Sequence, residues 1–177
     1  MQLLPFDPLS APPLSIEALA QLCRQGAEPP ELLLRFALST AEPLVVAPPA
    51  ALPKRCDGLW QGTCLEAFIG DAAAEAYWEY NLSPSGDWNV YRLDGYRAGL
   101  RQEPYYSSLP FALSHHDHAL SLELRCPLPP PLQHAAALEL GMTAVLQEPS
   151  SRLSYWALNH PAAEPDFHDR RGWTLRF

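Results

Sequence analysis

The stretch Asp57–Arg97, DGLWQGTCLEAFIGDAAAEAYWEYNLSPSGDWNVYRLDGYR, decides the fold. It carries three of the five Trp and four of the seven Tyr of the chain. Within it, residues 64–69 (CLEAFI) are short, rich in large apolar side chains and closed by Gly70-Asp71, which reads as a strand. With a period of two, Leu65, Ala67 and Ile69 share one side, and Cys64, Glu66 and Phe68 the other. Glu66 thus falls among apolar neighbours. Burying an unpaired carboxylate is costly, so Glu66 either bonds a structural partner or lines a cleft.

The next two segments, 76–82 and 88–93, flank Ser83-Pro84-Ser85-Gly86. Pro suits the second position of a type I turn and Gly86 a following left-handed position, so the segments form a bulged hairpin. The register then sets Leu82 opposite Trp88, Tyr80 opposite Val90 and Trp78 opposite Arg92. The other face carries Tyr77, Glu79 and Asn81 against Leu93, Tyr91 and Asn89. A slip of one residue would mix the mostly apolar face with the mixed one, so turn and pattern support the same register.

Outward from this hairpin the same period recurs. Residues 31–40 (ELLLRFALST), 119–126, 138–147 and 152–158 alternate as half-buried strands. Residues 2–5 read as an edge strand, 44–47 as a continuation of the 31–40 strand after a turn, 111–114 as a further strand, and 173–177 as a closing one. Residues 16–25 (IEALAQLCRQ) read as the one short helix, capped by Ser15 and ended by Gly26, with a strand in the same place as the alternative. Residues 94–108 read as a surface connection and 159–171 as an irregular tail. The count is about nine or ten strands without alternating helices, which predicts an all-β antiparallel β-sandwich, jelly-roll or immunoglobulin-like. A chain of 177 residues fits one such domain, 1–177, with residues 1–30 at its periphery.

Composition narrows the function. With 47% hydrophobic and 18% charged residues the chain is globular, and its 20 Pro argue against long helices. A formal charge of -8 with no Lys/Arg block disfavours nucleic acid and anionic membrane as partners. The start, MQLLPFDPLSAPPLS, lacks the basic and apolar regions of a secretory signal, so a cytoplasmic location is expected. Cys23, Cys56, Cys64 and Cys126 form no C-x-x-C pair and fit a reducing compartment, with no zinc site.

The motifs GLWQGTCLEAFI, EYNLSPSGDWNVYRLDGYRAG and SYWALNHPAAEPDFHDRRGWTL resemble those of the DOMON-like group related to family 9 carbohydrate-binding modules, in the same order, from about Leu32 onward. The resemblance implies a β-sandwich without catalytic machinery, and the best understood members bind sugars or haem. In the sugar-binding relatives two Trp clamp a sugar ring and a strand carboxylate accepts from its hydroxyls. Trp60 and Glu66 match the first Trp and the carboxylate by spacing. Trp156 is the better match for the late Trp, with Trp173 in reserve, and Arg92 or Arg97 could supply a donor. The alternative for each Trp is a place in the core. Haem relatives use a Met with a His or Lys, but Met142 lies in an apolar strand pattern that fits core packing. No cofactor is expected.

His115, His116, Asp117 and His118 fit a solvated turn better than a metal site, since adjacent turn residues rarely converge on one ion. Asp166 and His168, with His160 nearby, either hold the tail or border the ligand site. No nucleophile elbow, H-E-x-x-H pair or phosphate-cradling Gly loop is present. The expected function is non-catalytic binding of a small ligand such as a sugar. Two alternatives stand beside it: a protein interaction or structural domain, and a sugar-acting hydrolase using Glu66 and Glu79.

Overall fold

The computed structural model describes residues 1–24, 26, 28–41 and 46–177. They form twelve strands: β1 (Gln2–Pro5), β2 (Leu14–Cys23), β3 (Glu31–Thr40), β4 (Cys64–Asp71), β5 (Tyr77–Leu82), β6 (Trp88–Leu93), β7 (Arg101–Gln102), β8 (Phe111–His116), β9 (Ala119–Pro127), β10 (Leu138–Gln147), β11 (Leu153–Ala157) and β12 (Leu175–Arg176). One helical turn, α1 (Pro130–Gln133), and two 3-10 turns, Leu59–Gln61 and Arg170–Gly172, complete the elements. All strand pairs are antiparallel, and hydrogen bonds run without a break in the order β7-β6-β5-β4-β10-β11-β1-β2-β3-β9-β8, with β12 on β10. The result is a single, strongly curled sheet whose two halves share strand β1. The all-β antiparallel reading holds, and the strand number exceeds the nine or ten expected because the sequence of β2 reads as a helix and the two-residue β7 carries no periodic signal.

The sheet's inner face gathers one main core. Leu3, Ile16, Leu34, Phe36 and Leu122 from one half meet Leu65, Ile69, Trp78, Tyr80, Leu140 and Met142 from the other. Met142 is thus a core residue. The hairpin has the register deduced from its turn: Leu82 pairs Trp88, Tyr80 pairs Val90 and Trp78 pairs Arg92. Gly86 lies at φ 94, and its N–H reaches the Ser83 carbonyl at 2.9 Å. Trp78, Tyr80 and Val90 all enter the main core.

Three expectations are corrected. The helix expected from residue 16 does not form, and the alternative, a strand, takes its place: Leu14–Cys23 is strand β2, paired along its length with β3 from Leu14↔Thr40 to Cys23↔Glu31. Ile16, Ala18 and Ala20 are buried while Glu17 and Gln21 are exposed, a period of two. A ten-residue helix would be marginal alone, and a complete ladder overrides its propensity. Nor is β1 an edge strand, because it pairs with β2 through Leu3↔Ile16 and with β11 through Pro5↔Trp156 and so is central. The 94–108 connection is also anchored inward. Tyr106 is buried, its hydroxyl within 2.7 Å of both the Tyr80 hydroxyl and the Pro127 carbonyl, and Glu103 accepts from the Trp78 indole at 2.6 Å. The strand expected over residues 44–47 falls largely outside the described residues.

Candidate functional site

On the outer face of β11, β10, β4, β5 and β6, the side chains alternate away from the main core. Register stacks them into two rows that cross the strands: Thr143, Glu66, Asn81 and Asn89 in one, and Gly141, Phe68, Glu79 and Tyr91 in the next. An outer sheet face is ordinarily wet. Here every one of these residues is buried, because two segments fold over it: the turn Leu59–Gln61 and the tail 159–173. Between them lies a cleft of about 500 Å³, lined by Trp60, Glu66, Phe68, Glu79, Arg97 and His168, with Leu93, Tyr155 and Phe167 among its apolar walls.

Trp60 is placed by Asp57. Its Oδ1 accepts from the Tyr91 hydroxyl (2.6 Å), Asn89 Nδ2 (2.9 Å) and Gln102 Nε2 (2.9 Å), which ties the turn to β6 and β7. The Tyr91 hydrogen bond, then that of Gln102, holds the Asp57 carboxyl below its usual range. Gly58, at φ 72, turns the chain so that Trp60 sits edge-on to Tyr91 at 5.7 Å. Trp60 stays 37% exposed at the rim.

The floor is acidic and poorly satisfied. Glu66 is 2% exposed: Oε2 accepts from Thr143 Oγ1 at 3.3 Å, and Oε1 has no partner among the described residues. Glu79 is 5% exposed and accepts from Asn81 Nδ2 at 2.7 Å. Burial first, and then the neighbouring Glu79 charge, pushes the Glu66 carboxyl well above the usual carboxylate range. Burial also raises that of Glu79, opposed by Asn81 and Arg97.

Several contacts fasten the tail, among them those of Trp173, Asp166 and His168. The Trp173 ring stacks on Phe68 (5.9 Å) and meets Tyr77 edge-on (5.2 Å), while its indole N–H donates to the Phe167 carbonyl at 2.9 Å. Gly141 makes room for that ring, since a Cβ there would collide with it. Asp166 accepts from Arg97 Nη2 at 2.9 Å and from the Tyr96 hydroxyl. Arg97 itself is held at φ 51, a left-handed backbone that costs a non-Gly residue on the order of 1 kcal/mol and recurs at functional sites. His168 Nδ1 lies 2.7 Å from the Tyr77 hydroxyl.

Burial, then the Arg97 charge, lowers the His168 pKa to about 4. The unfolded imidazole therefore takes up a proton near pH 6.5, before the folded one does, and stability contributed by neutral His168 is lost as pH falls from about 6.5 to about 4. The full loss is about 3 kcal/mol. Glu66 and Glu79 act in the opposite sense, so the measurement is a difference: denaturant midpoints of the native chain and of His168→Gln across this range. The native chain should lose ground to the variant on acidification, and parallel curves would show His168 to be solvated.

Of the residues singled out in the sequence, Trp60, Glu66 and Arg97 meet in the cleft. Trp156 does not. It points to the opposite face of the sheet, 2% exposed in the main core, because it pairs with Ala144, whose side chain faces inward. Trp173 is 1% exposed beneath the tail and supports the cleft without lining it. Arg92 is also on the inner side, its guanidinium 5.3 Å from the Trp78 ring. Glu79 and His168 also line the cleft: His168, expected either to hold the tail or to border the ligand site, does both, and Glu79, weighed only as a hydrolase carboxylate, has its place from the hairpin register beside Asn81, while the β4 and β5 pairing brings it diagonal to Glu66. The His115–His118 turn is exposed, and among the described residues no three His, Cys, Asp or Glu side chains group to hold a metal ion.

The fold has a counterpart among solved structures. A "putative carbohydrate-binding protein" from Bacteroides uniformis ATCC 8492 superposes with a TM-score of 0.62 over 93% of this chain and 78% of its own, at 12% identity, which establishes a shared fold. Two structures of a family 9 carbohydrate-binding module from Caldicellulosiruptor kristjanssonii also align. The one with glucose has a TM-score of 0.42, 12% identity and coverage of 80% and 66%; the one with cellotriose has 0.37, 11%, 79% and 71%. These two superpose too loosely to argue from. No family model matches the sequence, and no curated protein matches it.

Proposed function

We propose that the chain is a non-catalytic binding domain of the DOMON-like kind for a sugar or similar small polyhydroxylated ligand, held in the cleft under Trp60. The observation that carries this reading is the buried Glu66 oxygen without a partner in a cleft with an indole at its rim. A carboxylate oxygen left unsatisfied costs about 1–3 kcal/mol. A ligand hydroxyl donating to it recovers that cost, while a sugar's C–H face packs on Trp60. Glu79 is a second acceptor, and Arg97 is the donor facing the same space. The cleft volume suits a mono- or disaccharide, and the name of the solved structure that shares this fold, a "putative carbohydrate-binding protein", points the same way.

Calorimetric titration with mono- and disaccharides tests the reading. Saturable binding should appear, and Trp60→Ala should weaken it about tenfold, the loss of stacking together with buried area. Absence of binding across the panel would refute it. A second reading, glycoside hydrolysis, draws on the two carboxyls with raised pKa in one cleft. Release of free sugar that stops in Glu66→Gln would favour that alternative.

A further inference from the structure

The cleft's charge specifies more than a neutral sugar. Its floor holds two carboxyls, Glu66 and Glu79, one row apart on adjacent strands. Arg97 is the one Arg or Lys among the described residues lining the cleft, and its guanidinium is already bonded to Asp166. The half-buried imidazole of His168 is the remaining basic group there. Its low pKa keeps His168 neutral, so it adds no balancing charge.

A neutral hydroxyl would satisfy Glu66 Oε1 but bring no charge to offset the mutual repulsion of the two adjacent buried carboxyls. A metal ion would need more oxygen ligands than this pair offers, and no such group exists among the described residues. An ammonium fits both demands, with three N–H donors and one positive charge, and charge-assisted hydrogen bonds are roughly twice as strong as neutral ones. Acidic ligands such as uronic acids or sugar phosphates meet repulsion instead.

Resting on the sugar-binding reading, we infer that the cleft selects a sugar bearing a free, protonated amine, which sits between Glu66 and Glu79 while the ring lies against Trp60. Acetylation of that amine removes both its charge and two of its donors. N-acetylated sugars are therefore rejected.

The test compares glucosamine, galactosamine and mannosamine with glucose, galactose and mannose and with the three N-acetylhexosamines. Titrations are run at about pH 6, where amines carry their proton. At least one hexosamine should bind about tenfold or more tightly than its parent hexose and its N-acetyl form. That advantage should vanish in Glu66→Gln and in Glu79→Gln, with thermal melts verifying that both variants fold. If a hexose binds as well as its amine in the native chain, the amine preference is wrong while the sugar-binding reading stands. If none of these nor any disaccharide binds, the sugar-binding reading itself falls, and the amine preference with it. Because the native chain alone separates these outcomes, the test survives a variant that fails to fold.

Discussion

Trp173→Ala should destabilise the fold by about 3–5 kcal/mol, the range for removing a fully buried large aromatic, whereas Trp60→Ala should cost less than about 1 kcal/mol. The contrast follows from where the two rings sit. Trp173 is wedged between Phe68, Tyr77 and the bare backbone of Gly141, and its indole N–H is the tie that holds the Phe167 carbonyl. Its loss opens a cavity and unseats the segment that walls the cleft. Trp60 has an edge contact with Tyr91 and lies partly exposed at the cleft rim, outside both buried cores. At roughly 2–4 °C per kcal/mol for a chain of this size, the first variant should melt about 6–20 °C lower. Thermal unfolding followed by circular dichroism checks both. Equal melting temperatures for Trp173→Ala and the native chain would mean that the tail is not seated on this ring.

Glu66→Gln should do the reverse, raising stability at neutral pH while weakening ligand binding. The folded carboxyl has its pKa raised above the ordinary 4.5 by burial and by Glu79. Between 4.5 and the folded value, the folded chain holds a proton that the unfolded chain has released, so stability falls as pH rises through that window. Gln has the same shape without the charge, and its carbonyl can still accept from Thr143. The gain at neutral pH should be on the order of 1–3 kcal/mol, the desolvation cost of a buried unsatisfied polar group. It should shrink below about pH 4.5, where the native carboxyl is protonated in both states. A variant less stable than the native chain at neutral pH would show that Glu66 is satisfied in the fold and is a structural carboxylate. Such opposition between stability and binding is common where a site is held in a costly arrangement.

Most of the fold could be read from alternation. The hairpin register was fully legible because a bulged turn and two chemically different faces constrain it together. Strand β2 was harder, since Glu17, Ala18 and Ala20 favour helix locally and only the long ladder with β3 decides otherwise. The central place of β1 could not be read at all, for it depends on two partners distant in sequence, Ile16 and Trp156.

The site was legible in part for the same reasons. Glu66 stood out as a carboxylate on an apolar strand, and Trp60 as an indole just ahead of it. Trp156 misled because a late Trp on a strand has two faces to choose from, and its pairing with Ala144 selects the core. The contribution of the tail rests on contacts such as Arg97 with Asp166 and Tyr77 with His168, which join elements about seventy or more residues apart and leave no periodic trace.

The five Trp indoles offer the most direct test, because each N–H gives its own nitrogen-resolved proton resonance. On titration with the tightest-binding mono- or disaccharide, or hexosamine, the Trp60 resonance should move in a saturable way. Those of Trp78, Trp88 and Trp156, whose rings face the main core, should stay in place. A Trp60 resonance that does not move while the ligand is shown to bind by calorimetry would place the ligand elsewhere and contradict the account.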